Sequence, residues 1–129
     1  MVASDTVSIT RMTKGKLPSL PFLRIKNDVL GKTYDLSIVF ATPKVSQALN
    51  KQFRDKDYPT NILSFPLSKT SGELVISLAK VRAGASEFGK SYTQFLGFLL
   101  IHGMLHLKGY EHGSTMEKYE ARFAKKFGF

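Results

Sequence analysis

The chain contains no cysteine. A thiolate metal site is therefore excluded, and a small secreted domain stapled by disulfides is not expected. Long apolar runs are missing as well. The longest, Phe95 to Leu107, is broken by Gly97, His102 and Gly103 and falls short of the ~20 residues that a membrane-spanning helix needs. Met1-Val2-Ala3-Ser4-Asp5 lacks the basic start and apolar stretch of a signal peptide, so a soluble cytoplasmic protein without a membrane partner is expected. No internal repeat, low-complexity tract or linker is visible in the 129 residues. That length suits a single domain over 1–129, large enough to bury roughly 65–70% of its unfolded surface. Acidic side chains are scarce, ten against nineteen Lys and Arg, for a formal charge of +9. Such a surplus favours a polyanionic partner, nucleic acid before membrane, because no basic amphipathic anchor stands out. It is equally what lysines that keep a small protein soluble would produce, and the cations are spread along the chain.

What is present reads as alternating strands and helices. Thr6 to Arg11 and Tyr34 to Ala41 carry strand patterns, and the run Ile38-Val39-Phe40 suggests a strand covered on both faces. Pro21 to Leu30 is amphipathic, with Lys26 among its polar residues, and Gly31 ends it. Thr42 and Pro43 form a helix start, followed by an apolar stripe of Val45, Leu49 and Phe53. Asn61 to Phe65 reads as a strand closed by Pro66, Ser68 to Gly72 as a loop, and Glu73 to Ser77 as another strand. Leu78 to Phe88 is helix-like, with Val81, Ala85 and Phe88 on one side and Gly89 as its end. Ser91 can cap a helix to Lys108 that is apolar nearly all round and so belongs in the core. A terminal helix from Ser114 places Met116, Tyr119 and Phe123 on its buried stripe. The order β-α-β-α-β-β-α-α-α predicts an α+β fold, one mixed sheet of about four strands packed with about five helices.

All three histidines lie in His102-Gly103-Met104-Leu105-His106-Leu107-Lys108-Gly109-Tyr110-Glu111-His112. His102 and His106 are one helical turn apart and share a face. Gly109 lets the chain enter left-handed backbone and turn back, which brings His112 round as a third ligand. Two imidazoles on a buried helix need partners to offset their desolvation. Three neutral imidazoles with an open fourth position describe a catalytic zinc site, one ion per chain, better than a structural one. Ring nitrogens turned away from the metal need acceptors, for which Glu111 is the sequence-adjacent candidate. The same spacing occurs in metzincin peptidases, but Gly103 stands where they carry a catalytic Glu. Losing that general base, which supplies about 10²–10⁴-fold of rate, disfavours a peptidase. Met116 is too near His112 for a Met-turn and reads as core.

A phosphodiester substrate asks for other parts. Charge builds on the equatorial oxygens in its transition state, and a metal and a guanidinium can stabilise it together. Arg54 is the candidate, at a helix end just before a strand able to run along a cleft, although Asp55 or Asp57 could instead pair with it. Lys51, Lys56 and Lys108 are further phosphate candidates, and Tyr58, Phe65 and Tyr110 could stack on bases, Phe65 fitting the core better.

Over about residues 34 to 123 the chain resembles the YbeY endoribonuclease family, the bacterial ribosomal RNA maturation factors. His102 to His112 matches that family's HGxLHLxGYDH signature. Leu49-Asn50, Phe53-Arg54-Asp55-Lys56-Asp57 and Pro59 to Pro66 make a second match, and Gly72-Glu73-Leu74-Val75-Ile76-Ser77 a third. Glu73 and Glu111 stand where the family commonly has Asp, and the part up to about residue 33 matches poorly. The resemblance implies a zincin-like metal helix, zinc ligands at His102, His106 and His112, and a functionally important arginine at Arg54. It implies a zinc-dependent, single-strand-specific endoribonuclease acting on small-subunit ribosomal RNA and in ribosome quality control, with the small subunit and its assembly factors as partners. The competing classes are a zincin-type metallopeptidase and a non-catalytic ribosome-assembly module stabilised by zinc.

Overall fold

A computed structural model describes residues 7–129. Strands β1 (Val7–Arg11), β2 (Asp35–Phe40), β3 (Ile62–Ser68) and β4 (Ser71–Ile76) form one sheet in the order β1-β2-β4-β3. β1, β2 and β4 run parallel, and β3 pairs antiparallel to β4, so the sheet is mixed. Around it lie helices α1 (Phe22–Val29), α2 (Pro43–Arg54), α3 (Leu78–Gly84), α4 (Tyr92–Leu107) and α5 (Ser114–Phe127), with a 3₁₀ turn over Ala85–Phe88 between α3 and α4. The architecture is the expected α+β one. Thr6, where the first strand was expected to begin, and Met1 to Asp5 lie outside the described residues.

The period-two alternation of strands divides the core. Leu36, Ile38 and Phe40 of β2, with Leu74 and Ile76 of β4, meet Ile25, Val81, Leu96, Leu100, Ile101, Met104 and Met116 from α1, α3, α4 and α5. Val39 and Val75 point to the opposite face, where Val45 and Leu49 of α2 pack with Leu63 and Phe65. β2 is thus covered on both sides, as its unbroken apolar run suggests.

α4 is the central helix. Its start carries a capping box between Ser91 and Gln94, and ten of its sixteen residues are buried. Its end is fixed by Lys108 and by Gly109 at φ +107°, backbone that a side chain would oppose. Gly103 lets α4 lie close under the sheet. A Cβ there would sit 2.7 Å from Ile62 Cδ1, 2.8 Å from Leu74 Cδ2 and 3.1 Å from Ser64 Oγ, and that hydroxyl donates to the Gly103 carbonyl at 3.3 Å.

Several expectations are corrected. β3 continues through Pro66 to Ser68, which an edge strand tolerates because its outward N–H needs no ladder partner, and the register shifts there. The loop expected from Ser68 to Gly72 shrinks to a tight turn at Lys69-Thr70. Phe53 is 56% exposed and Phe88 59% exposed, so neither completes a buried stripe. The buried residues of α2 are the polar Ser46 and Asn50. Lys26 is fully buried instead of solvated, and its ammonium donates to the carbonyls of Gly31 and Lys32 beyond the end of α1. Lys108 is likewise structural, donating to the Val29 carbonyl at 3.1 Å.

Gly103→Ala should cost about 1–3 kcal/mol in overpacking, offset by roughly 1 kcal/mol of helix propensity. Gly103→Glu adds an unpaired buried carboxylate and should lose more than ~3 kcal/mol. Urea denaturation of the two variants beside the parent checks the order; equal stability for all three would mean that helix and sheet have room to spare.

Candidate metal centre

The 3.6-residue period of α4 places His102 and His106 side by side, with ring centroids 4.6 Å apart. After Gly109 the chain turns back, and His112 comes to 5.3 Å from the ring of His102 and 4.7 Å from that of His106. One nitrogen from each ring lies within 4.8 Å of the others, so the three could hold a metal ion. His102 and His106 are half-buried and His112 is exposed.

The outward nitrogens decide the chemistry of the inward ones. His106 Nδ1 lies 3.0 Å from the Tyr110 carbonyl oxygen, which can only accept, so that nitrogen carries the proton. His102 Nδ1 donates to Glu120 Oε2 at 2.5 Å. In their neutral form both rings turn Nε2 lone pairs toward each other, 3.2 Å apart. Two lone pairs at that separation repel unless a cation lies between them. Burial lowers the basicity of His106 first, helped by the neighbouring His102, His112 and Arg54, so a proton is a poor candidate. A divalent metal fits the donor set: nitrogens held tetrahedrally at 2.0–2.1 Å from zinc are about 3.3 Å apart.

Glu120 was not singled out from the sequence. It is 8% exposed, on the buried stripe of α5 between Met116 and Ala124. An acid one turn past Met116 on an otherwise apolar face was the available signal. Glu111, expected in this role, is exposed, and Tyr110 takes part through its backbone carbonyl.

Arg54 reaches the same place from the other side of the sheet. Ser46 Oγ donates to the Thr60 carbonyl at 2.7 Å and accepts from the Thr60 N–H at 3.1 Å, while Asn50 Nδ2 donates to the Tyr58 carbonyl at 3.0 Å. These bonds fold the segment after α2 back along the helix, and Asp55 in left-handed backbone begins the turn. Arg54, the edge-strand residues Ile62 and Ser64, and the three histidines then line one cleft of about 330 Å³. Among the described residues Arg54 makes no ion pair, since Asp57 pairs with Lys51 at 3.8 Å and accepts from Gln47 at 3.0 Å.

Other candidates do not converge there. Lys51, Lys56, Lys108 and Tyr58 are not in the cleft lining. Phe65 packs edge-on against Phe53 at 5.2 Å, and Tyr110 against Tyr119 at 5.1 Å. The phenol of Tyr110 is shifted upward by its hydrogen bond with Tyr119 and by burial. Met116 is core, as expected.

Residues 9–127 match the family model described as Endoribonuclease YbeY. That match reaches back through α1 into β1, which the signature motifs left out. The chain is 36% identical over 107 residues to Endoribonuclease YbeY of Geobacillus kaustophilus, covering 71% of this chain and 68% of that protein. It is 38% identical over 100 residues to the same enzyme of Alkaliphilus metalliredigens, covering 69% and 64%, respectively. Against Endoribonuclease YbeY of Malacoplasma penetrans the identity is 42% over 111 residues, covering 81% and 70%. The matched segments thus span about two thirds of these relatives' length. The solution structure of TM1509 from Thermotoga maritima is similar with a TM-score of 0.63 and 25% identity, covering 93% of this chain and 89% of that one.

Glu120→Ala removes the acceptor that orients His102 and should weaken divalent-metal affinity about 10- to 100-fold. A competition titration against a chelator reads this directly; a change smaller than twofold would leave Glu120 a structural acid.

Proposed function

The chain belongs to the YbeY endoribonuclease family, and on that premise we propose that it is a zinc-dependent endoribonuclease cutting single-stranded RNA. Its setting is the cytoplasm, in maturation and quality control of the small ribosomal subunit, and one domain spanning 1–129 carries the activity. The observation that carries this reading is the convergence, in one cleft along an edge strand, of three imidazoles and a guanidinium that makes no ion pair among the described residues.

His102, His106 and His112 are the metal ligands. Zinc, when bound, supplies a Lewis acid for the negative charge that builds on a phosphoryl oxygen. Arg54, in the lining of the same cleft, donates to the non-bridging oxygens of that phosphate and stabilises the charge. Glu120 and the Tyr110 carbonyl hold the outward ring nitrogens protonated, which keeps the inward ones free to bind metal. A net charge of +9 supports a polyanionic substrate, and among the described residues no helix is long and apolar enough to cross a membrane.

Gly103 weighs against the metallopeptidase alternative. The site a peptidase would give to its glutamate is filled by Ile62, Leu74 and Ser64. The structural-zinc alternative is weakened because such sites close with four protein ligands, and only three histidines gather among the described residues.

The test is cleavage of single-stranded RNA and of casein by the zinc-loaded chain, with chelator, zinc add-back and a His106→Ala control. RNA should be cut and casein spared, and His106→Ala should lose both activity and its equivalent of zinc. Cutting that survives in the His106 variant would sink the reading. Arg54→Ala should keep its zinc while turnover falls about 10²–10³-fold. A cyclic phosphate on the product identifies the ribose hydroxyl as the attacking group; a linear phosphate released directly identifies water. RNA affinity should fall steadily as salt rises, and a flat salt profile would make the surplus positive charge incidental.

A further inference from the structure

The cleft with the histidines does not stand alone. A second depression of about 290 Å³ adjoins it, and the two share Thr60, Asn61, Phe88 and Phe95 as walls. Phe95 is buried in the core, and Phe88 lies against it nearly parallel, with ring centroids 4.8 Å apart and 19° between planes. One face of Phe88 is thereby covered while the side chain remains 59% exposed. A strand leaving the histidines along this wall passes the open face of an aromatic ring already held flat by its neighbour. Lys80 and Glu87, both exposed, also line the second depression, so it offers one cation to a phosphate beside one carboxylate.

We infer that this second depression holds the nucleotide next to the scissile phosphate, its base stacked on Phe88 and its phosphate directed toward Lys80. The inference rests on the endoribonuclease reading and adds a binding subsite to it. Stacking on an aromatic face accepts any base, because every base offers a π-face, so the subsite selects unstacked strands over duplex and not a sequence. Phe88 is a binding residue here and takes no part in bond breaking. The geometry also explains an otherwise unspent apolar surface: the 3₁₀ turn and Gly89, in left-handed backbone, set Phe88 over Phe95 and away from the core.

The experiment is a cycle between protein and substrate, run on the zinc-loaded full chain. One partner is Phe88→Ala. The other is a single-stranded RNA carrying one abasic nucleotide, moved position by position past the mapped cut. For the parent protein, an abasic residue beside the cut should raise KM about 10-fold, the scale of a lost base–aromatic stack, with a much smaller change in kcat. Phe88→Ala should show the same rise on intact RNA and no further rise on the abasic one, because the two changes remove a single contact. Phe88→Trp should restore parental KM; a fold defect in the alanine variant would instead show as a lower kcat through a smaller active fraction. Fully additive effects, or a parental KM for Phe88→Ala, would overturn the subsite while leaving the endoribonuclease reading in place. A parent protein that cuts no single-stranded RNA at all would overturn the endoribonuclease reading and the subsite with it.

Discussion

The outward hydrogen bonds of His102 and His106 are the constraint on which the site depends. A carboxylate and a backbone carbonyl, both obliged to accept, leave each ring with its lone pair turned inward. The two Nε2 atoms then oppose each other at 3.2 Å, an arrangement that invites a cation and resists staying empty. α4 makes this possible by being buried elsewhere: its apolar flanks fix the rotation of the helix, and rotation fixes where two residues one turn apart must point. Because the helix cannot turn without exposing its core residues, the imidazoles are held by the same contacts that stabilise the fold.

The close approach of α4 to the sheet has a chemical consequence beyond packing. With Gly103 pressed toward Ile62 and Leu74, β3 comes alongside the histidines, and as an edge strand it forms one wall of the cleft. A glutamate at that position would require the wall to move away. The helix spacing shared with metal-dependent peptidases is thus compatible with a different substrate, since the space for one catalytic group has been exchanged for a closer strand.

Arg54 is delivered by polar and not apolar contacts. Ser46 and Asn50 tie the segment after α2 back onto the helix by hydrogen bonds to backbone groups of Tyr58 and Thr60. Those backbone groups would otherwise lie partly buried without partners, so the helix face meeting them has to be polar. The same segment presents Thr60 and Asn61 to both depressions, which links the placement of the arginine to the shape of the path a strand would follow.

Local features of the sequence determined what local physics can determine. Periodicity located the elements, capping residues set the start of α2, Ser91 and Gly109 set the limits of α4, and a histidine pair four apart with a third beyond a glycine stop brought the three imidazoles together. Arg54 was legible as a helix-end cation followed by a strand. The tertiary structure decided everything that depends on contact between distant segments. Glu120 is eighteen residues from His102 and meets it only because α5 folds over α4. Ser46 and Asn50 look like solvated residues until the loop they hold is in place, and Pro66 reads as a stop until β3 proves to be an edge. Phe88 looks like core until α3 gives way to a tighter turn that points it outward. Periodicity reports which side of an element is apolar; only packing reports which neighbour, if any, arrives to cover it.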